Sequence, residues 1–258
     1  MGILNVTPDS FSDGGTYYTV SLAVDRAKKM EDAGVDLIDI GGESTRPYSQ
    51  AIDQEEELSR VVPVLEKLQG KVSAPISIDT TKAKVALAAL DLGAEIVNDV
   101  SGLEADDGMI DVVLKTGAAV CAMHRQGTPQ TMQNDPKYAH CVVEILQYLM
   151  DRDRFLIGAG IAPEKICLDP GIGFGKTHEH NLELIRSIGV FHQLQRPILV
   201  GHSRKGFIGK LLKNKDQPRD FGTLGVSFAL HQQGIQVLRV HDVEGHVQAF
   251  RMLDALGM

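Results

Sequence analysis

Short apolar runs rich in β-branched residues alternate along the chain with longer segments in which apolar residues recur every three or four positions. Runs of the first kind are typical of buried parallel strands, and the second spacing predicts amphipathic helices. The predicted strands occupy residues 2–7, 37–41, 75–80, 95–99, 118–124, 165–169, 197–202 and 237–241. The sequence therefore predicts a β/α unit that is repeated eight times.

Helical spacing is clearest from Val20 to Ala33, and Gly34 follows at a position where glycine commonly ends a helix. Other helices are predicted at residues 53–68, 83–90, 138–155, 181–194, 221–231 and 244–256. Eight units without a long break in composition predict an α/β protein, a single (β/α)8 TIM barrel forming one domain over residues 1–258. An open doubly wound sheet is the alternative, although it would usually contain fewer units.

Composition and charge narrow the possible partners. The net charge of −8 argues against nucleic acid, so an anionic ligand would need a local cluster of cations. Three cysteines at irregular spacing indicate a reduced, cytoplasmic setting. No apolar run is long enough to span a membrane, and the N-terminus lacks the pattern of a signal peptide.

One stretch, residues 166–176, combines a short strand with a glycine-rich loop. The strand ends at Asp169, and Pro170 then stops strand pairing because proline has no backbone N–H. Three glycines within five residues surround Phe174 and lead to Lys176. Such a loop suits a flat polar ligand, because glycine permits close approach of the backbone. The alternative is an ordinary turn in which Asp169 caps backbone groups.

Polar residues follow nearly every predicted strand, where a barrel has its active site. One set offers carboxylates, an amide and an ammonium, which match the edge of a 2-amino-4-oxo-pyrimidine: Asp79, Asn98, Asp169 and Lys205. A second set is rich in cations and suits phosphate: Asn5, Arg46, Arg239 and His241. The two sets together predict a heterocycle deep in the barrel and a phosphate at its mouth. Asp39 is either a ligand or a buried partner of strand-end amides.

These residues resemble the dihydropteroate synthase family nearly from end to end. The resemblance rests on seven motifs in order, at residues 2–15, 39–47, 78–80, 98–102, 169–175, 203–205 and 239–242. It implies a transferase of folate biosynthesis. Such an enzyme condenses 6-hydroxymethyl-7,8-dihydropterin pyrophosphate with para-aminobenzoate, the compound that sulfonamides mimic, and releases 7,8-dihydropteroate and pyrophosphate.

The resemblance also implies a role for each matching residue. The pterin would be held by Asp79, Asn98, Met123, Asp169 and Lys205. The pyrophosphate would be held by Asn5, Arg239 and His241, with Asn5 also near Mg²⁺. The para-aminobenzoate pocket would be formed by Phe11, Thr45, Arg46, Pro47, Phe174 and Ser203. The catalytic residues would be Asp13, Lys205 and Arg46, and two chains would form a homodimer through the later helices.

The chain departs from the family pattern in three places. It starts almost inside strand one, where the family usually has an N-terminal hairpin that plugs the bottom of the barrel, so the chain is expected to be either truncated or open there. Arg125 follows His124 where methionine is more frequent in the family. Gly206 follows Lys205 where serine is common, which removes one hydroxyl contact worth roughly 1 kcal/mol. We expect activity to survive both substitutions.

Three other functions remain open. A pterin-dependent methyltransferase barrel would share the pterin-binding groups but lack the loops at residues 6–15 and 41–47, both of which this chain contains. A non-catalytic pterin-binding barrel would not need Asn5, Asp13 and Arg46. Lys205 could instead be a Schiff-base lysine, although its neighbours fit anion binding better.

Overall fold

A computed structural model of the chain describes residues 1–7, 16–213 and 218–257. The described strands are β1 (Gly2–Asn5), β2 (Ile38–Gly41), β3 (Ile76–Asp79), β4 (Ile96–Asp99), β5 (Ala119–Met123), β6 (Ile166–Asp169), β7 (Leu199–Val200) and β8 (Val237–Leu238). The described helices are α1 (Thr16–Ala33), α2 (Gln54–Leu68), α3 (Ala83–Asp91), α4 (Met109–Thr116), α5 (Cys141–Gly158), α6 (His178–Arg186), α7 (Gly206–Leu211), α8 (Asp220–His231) and α9 (Val243–Leu256).

The strands close into a parallel barrel. Strands β1 to β6 pair in chain order, and β7 pairs with β8. Two single bridges complete the ring, one between Leu168 and Ile198 and one between Gly2 and Val240. The predicted α/β barrel is therefore confirmed. The last two strands are shorter than expected, since only two residues of each have regular pairing.

Alternation along each strand separates the helix-facing core from the barrel interior. In β2, Ile38 and Ile40 belong to the hydrophobic core, and Asp39 between them is completely buried. Because successive side chains of a strand point to opposite faces, Asp39 points into the barrel. The same alternation makes Asn5 and Asp79 the last inward-facing residues of their strands. Polar side chains thus collect at one end of the barrel.

The structure differs from the predicted helices after β6 and β7. The helix expected at 181–194 begins earlier, because the Thr177 side chain caps the N–H of His180, and it ends at Arg186. A 3-10 helix, Ile188–Leu194, continues the segment. Helix α7 was not predicted, since its six residues are too few for apolar periodicity to be recognised. Among the described residues, no helix combines the length and apolar character needed to cross a membrane.

Candidate active site

A cavity of about 890 Å³ opens at the carboxyl ends of the strands. Every predicted site residue in the described part of the chain lines it: Asn5, Thr45, Arg46, Pro47, Asp79, Asn98, Met123, Asp169, Phe174, Ser203, Lys205, Arg239 and His241. The other two predicted site residues, Phe11 and Asp13, lie outside the described residues. The strand ends and the loops that follow them therefore meet in one space.

The floor of the cavity consists of buried polar groups carried by strands. Asp79, Asn98 and Asp169 end or nearly end β3, β4 and β6, and each is at most 8% exposed. Burial raises the pKa of Asp79 to about 7, against the opposing effect of the Arg239 guanidinium. Burial also raises the pKa of Asp169, although the Lys205 ammonium works in the other direction. A ligand with several N–H donors would satisfy these carboxylates.

Arg239 was predicted in the phosphate-binding set, but it contacts Asp79 of the pterin-binding set. Its Nε atom lies 2.6 Å from Asp39 Oδ2, and its Nη2 atom lies 2.7 Å from Asp79 Oδ2. The Asn98 amide donates to the same oxygen of Asp39 at 3.2 Å. Asp39 is therefore a buried partner of the strand-end amide, as one of the two interpretations predicted. Arg239 lies deeper than a rim residue, with its charge neutralised by the floor.

Lys205 follows β7 and turns toward the glycine-rich loop. Its Nζ atom donates to the carbonyl oxygen of Ile172 and lies 4.4 Å from the centre of the Phe174 ring. Burial lowers the pKa of Lys205 to about 7, although Asp169 works in the opposite direction. A protein carbonyl is a partner that a ligand carbonyl could replace. Lys205 thus lies between the polar floor and Phe174, which forms the aromatic wall of the cavity.

The glycine-rich loop requires glycine at two positions because it packs tightly on the β5–α5 connection. Gly171 has a φ of +69°, and a Cβ atom there would lie 1.9 Å from the His124 carbonyl oxygen. Gly175 has a φ of +63°, and its Cβ would lie 2.3 Å from the Gln126 carbonyl oxygen. Asp169 Oδ1 accepts a hydrogen bond from the Gly171 N–H at 2.6 Å. Asp169 therefore caps the loop and lines the cavity at the same time.

His241 and Ser203 form a pair at the mouth of the cavity. The His241 Nδ1 atom lies 2.9 Å from Ser203 Oγ, which also accepts the His241 backbone N–H at 3.2 Å. Burial, followed by the positive charge of Arg204 and Arg239, lowers the pKa of His241 to about 3. The imidazole is therefore neutral near pH 7 and can contribute hydrogen bonds but no charge to a bound anion.

Two further parts of the cavity wall had no predicted role. Lys176 is 2% exposed, and its Nζ atom lies 3.0 Å from both His124 Nδ1 and the Phe174 carbonyl oxygen. Burial lowers the pKa of Lys176 to about 7. Gln133 donates to the Gly173 carbonyl oxygen at 2.7 Å. Lys176 could be suspected from its place in the glycine-rich loop, whereas Gln133 lies in a connection without a recognisable motif.

The described residues offer few side chains that could coordinate a metal ion. Within the parts of the chain that the structure describes, no group of three or more His, Cys, Asp or Glu side chains could hold one. Asn5, at the end of β1, contributes an amide to the cavity wall. Mg²⁺ commonly takes one or two protein oxygens and completes its shell with phosphate and water. The donor set therefore fits a cation that arrives with a phosphorylated ligand.

Comparison with known proteins gives a consistent result. The sequence profile of a family described as "pterin binding enzyme" matches residues 1–241. Dihydropteroate synthase of Escherichia coli strain K12 is 45% identical over 255 residues, covering 99% of this chain and 90% of that protein. The Bacillus subtilis enzyme of the same name is 42% identical over 257 residues, covering 99% and 87%.

Solved structures give the same picture. Yersinia pestis dihydropteroate synthase in a sulfonamide drug complex superposes with a TM-score of 0.92 at 42% identity, covering 99% of this chain and 93% of that one. The Xanthomonas albilineans enzyme with 4-aminobenzoic acid superposes with a TM-score of 0.93 at 40% identity, covering 100% and 92%. Both fold and sequence are thus similar over nearly the full length of the chain.

Proposed function

The chain belongs to the dihydropteroate synthases of the pterin-binding enzyme family, and from this premise we propose how its residues divide the work of the reaction. It is a transferase that joins 6-hydroxymethyl-7,8-dihydropterin pyrophosphate to para-aminobenzoate and forms 7,8-dihydropteroate and pyrophosphate. The observation that carries the assignment of residues is the shared cavity, which is lined by both the buried acceptors and the cations.

In this proposal the pterin ring lies on the floor of the barrel. Its amino and ring N–H groups donate to the carboxylates of Asp79 and Asp169, and Asn98 completes the edge. Lys205 leaves the Ile172 carbonyl and donates to the pterin carbonyl. Met123, which is 3% exposed at the end of β5, packs against the ring face. The two buried carboxylates, whose positions are set by β3 and β6, then gain hydrogen-bond donors from the pterin.

The pyrophosphate lies above the ring, between the strand ends and the mouth. Asn5, Arg239 and His241 contact it, and Arg46 approaches from the β2–α2 loop. Arg239 supports this assignment because it lines the same cavity as Asn5 and His241, although its guanidinium is bonded to the floor carboxylates. Asn5 would hold Mg²⁺ together with the pyrophosphate, where the cation would offset charge on the departing oxygen.

The para-aminobenzoate lies between the glycine-rich loop and the β2–α2 loop. Phe174 and Pro47 supply apolar surface on its two sides, and Ser203 supplies a hydroxyl. Phe11 and Thr45 complete the pocket. Lys205 borders this pocket as well as the pterin site, which its contact with the Phe174 ring supports.

The mechanism follows from the weakness of an aromatic amine as a nucleophile. Departure of pyrophosphate must therefore precede or lead the attack, and cationic side chains stabilise the charge that builds on the leaving group. Electron donation from the pterin supports positive charge on the methylene carbon, and Asp13 steadies it. Closure of the two loops at residues 6–15 and 41–47 excludes water, which would otherwise react with this carbon. The amine nitrogen then forms the new C–N bond and loses its proton.

The chain is proposed to form a homodimer in the cytoplasm. Phe221 is 88% exposed at the start of α8, and Leu211 and Leu212 at the end of α7 are 53% and 42% exposed. Exposed apolar side chains of this size support an interface through the later helices. The three cysteines are all free, which agrees with a reducing compartment.

Pyrophosphate release tests the proposal directly. Purified protein is mixed with Mg²⁺ and the pterin pyrophosphate, and para-aminobenzoate is then added. We expect release to depend on para-aminobenzoate, to be inhibited by a sulfonamide, and to be slowed at least about tenfold in Lys205→Ala. Tight pterin binding without release would instead favour a methyltransferase-like or non-catalytic pterin-binding barrel, and absence of pterin binding would reject the whole assignment.

A further inference from the structure

Three charged side chains meet behind the β2–α2 loop, and we refer to Glu43, Glu57 and Lys82 as the Lys82 cluster. The Lys82 ammonium lies 2.7 Å from Glu43 Oε2 and 2.5 Å from Glu57 Oε2. Glu57 belongs to α2 and is completely buried, whereas Lys82 immediately precedes α3. Of these three described side chains, Glu43 lines the cavity and the other two lie behind it.

The cluster ties together the two ends of the β2–α2 loop. Besides its contact with Lys82, the Glu43 carboxylate accepts the backbone N–H of Ile52 at 3.0 Å through Oε1. Arg60 of α2 donates to the carbonyl oxygen of Gly42 at 2.8 Å. Residues 44–51 are therefore closed into a compact loop whose ends are joined by one carboxylate.

The orientation of Glu43 depends on the rest of the cluster. Burial raises the pKa of Glu57, and the Lys82 ammonium opposes this effect. Although burial disfavours its charge, Lys82 has a raised pKa because it bonds to both carboxylates. The Lys82 ammonium thus contacts two carboxylates, that of Glu57, which is buried on α2, and that of Glu43, which belongs to the loop. Through Lys82, the loop is attached to the packed interface between α2 and α3.

The closed loop carries side chains that line the cavity. Ser49 Oγ donates to the Ser44 carbonyl oxygen at 2.5 Å, and the Ser49 N–H donates to the Arg46 carbonyl oxygen at 3.1 Å. Arg46 and Pro47 project from this frame as exposed residues at the mouth. Their positions follow from the path of the loop backbone, which the Tyr48 N–H also ties to the Pro129 carbonyl oxygen at 2.9 Å.

We propose that Lys82 is a positioning residue for the transferase reaction: it orients Glu43, and Glu43 holds the β2–α2 loop so that Arg46 and Pro47 face the bound substrates. This inference rests on the proposed function, which places those two residues at the pyrophosphate and at para-aminobenzoate. A misplacement of about 1 Å far from the chemistry can reduce a rate roughly 100-fold. Lys82 therefore affects turnover without contacting a substrate.

The first test is Lys82→Met, which keeps the length of the side chain but removes its charge. We expect the KM for para-aminobenzoate to rise about tenfold and kcat to fall about tenfold. Binding of a pterin that lacks pyrophosphate should not change, because its proposed ligands lie on β3 to β6 and after β7, outside the β2–α2 loop. Hydrogen exchange of the Ile52 amide, followed by mass spectrometry of peptides around residue 52, should become faster. Lys82→Arg, which can still contact both carboxylates, should recover most of the activity.

A second variant separates positioning from stability. Lys82→Met leaves Glu57 buried without a cation, so it should also lower the melting temperature. Adding Glu57→Gln removes that uncompensated charge and should restore the melting temperature. The raised KM for para-aminobenzoate and the fast exchange of Ile52 should persist in the double variant. Recovery of KM together with stability would overturn the proposal, because Lys82 would then be merely structural.

Lys84→Met is the matched control. Lys84 Nζ also links α3 to α2, through Glu55 Oε1 at 2.5 Å, but both side chains are more than half exposed and both residues lie on helices outside the β2–α2 loop. Its KM and its Ile52 exchange should equal those of the unsubstituted protein. Equal KM in Lys82→Met and this control would also overturn the proposal. Absence of pyrophosphate release by the unsubstituted protein would reject the proposed function instead, whereas the exchange of Ile52 would still report on the loop.

Discussion

The floor and the mouth of the cavity are built in different ways. The floor groups Asp79, Asn98 and Asp169 belong to paired strands, are nearly completely buried, and each form a hydrogen bond to another part of the protein. The mouth residues Arg46 and Pro47 belong to a loop and are exposed. Strands hold side chains more precisely than loops, and loops can move during a catalytic cycle. In the proposed function, rigid strands therefore recognise the pterin, and the tethered β2–α2 loop helps to contact the leaving group and the second substrate.

The largest effect should come from breaking the charge balance of the floor with Arg239→Met. Asp39 and Asp79 would lose the guanidinium between them, and removal of one partner of a buried ion pair costs about 3–5 kcal/mol. We expect the free energy of unfolding, measured with urea, to fall by about this amount at pH 8. Arg26→Met, which removes an exposed arginine outside the floor, is the control.

The loss in Arg239→Met should be smaller at pH 5. The folded-state pKa of Asp79 is already above the ordinary value, and without Arg239 it rises further. An acid whose pKa is raised on folding favours the folded state most when it is protonated, so stability falls as pH rises through that pKa. A loss that is equal at pH 5 and pH 8 would contradict the charge-balanced floor.

Lys205→Ala tests the residue that joins the floor to the aromatic wall. A hydrogen bond to a charged group is worth about 1.5–3 kcal/mol, so kcat/KM should fall between about 10-fold and 100-fold. Lys213→Ala removes an exposed lysine just after α7 and should leave kcat/KM unchanged. An effect of Lys205→Ala below threefold would show that the floor works without this link.

Lys176 in the cavity wall tests how the protonation of a buried amine affects the stability of the protein. Burial lowers its folded-state pKa to about 7, below the ordinary lysine value near 10.5. Between these values the unfolded chain binds more protons, so this group makes the protein more stable as pH rises from about 7 to 10. Lys176→Met should therefore be least destabilising at pH 7 and become more so toward pH 10 in urea denaturation. A difference independent of pH would mean that Lys176 is not buried as an amine.

The smallest effect is expected at the mouth, from Gly206→Ser. Among the described residues, a Cβ atom at Gly206 would meet no atom within 4 Å apart from its chain neighbours and its own helix backbone, so a serine fits without displacement. One added hydroxyl contact is worth about 1 kcal/mol, and the KM for para-aminobenzoate should fall up to about fivefold. Gly225→Ser in α8, which also has open space at its Cβ, should leave that KM unchanged. Equal KM values for both variants would exclude a contact at residue 206.

Most of the site could be predicted because strand ends are recognisable. In Asp79, Asn98 and Asp169 a polar residue directly follows a short apolar run, and in a barrel all such positions meet at one end. Gln133 and Lys82 could not be found in this way. Each acts across an interface, on the Gly173 carbonyl and on Glu43, with a partner about 40 residues away in the chain. No local pattern encodes such a pairing.

The order of hydrophobic and polar residues by itself determined the repeated β/α units, the closed barrel and the group of polar residues at the strand ends, because these follow from local periodicity and from parallel pairing. Only the tertiary structure decided which of those polar residues form ion pairs with one another. Arg239 was expected at the rim, but its guanidinium lies between Asp39 and Asp79, since burial makes an unpaired carboxylate costly. The physical reason is that burial and charge pairing depend on contacts between distant residues, which exist only after the chain has folded.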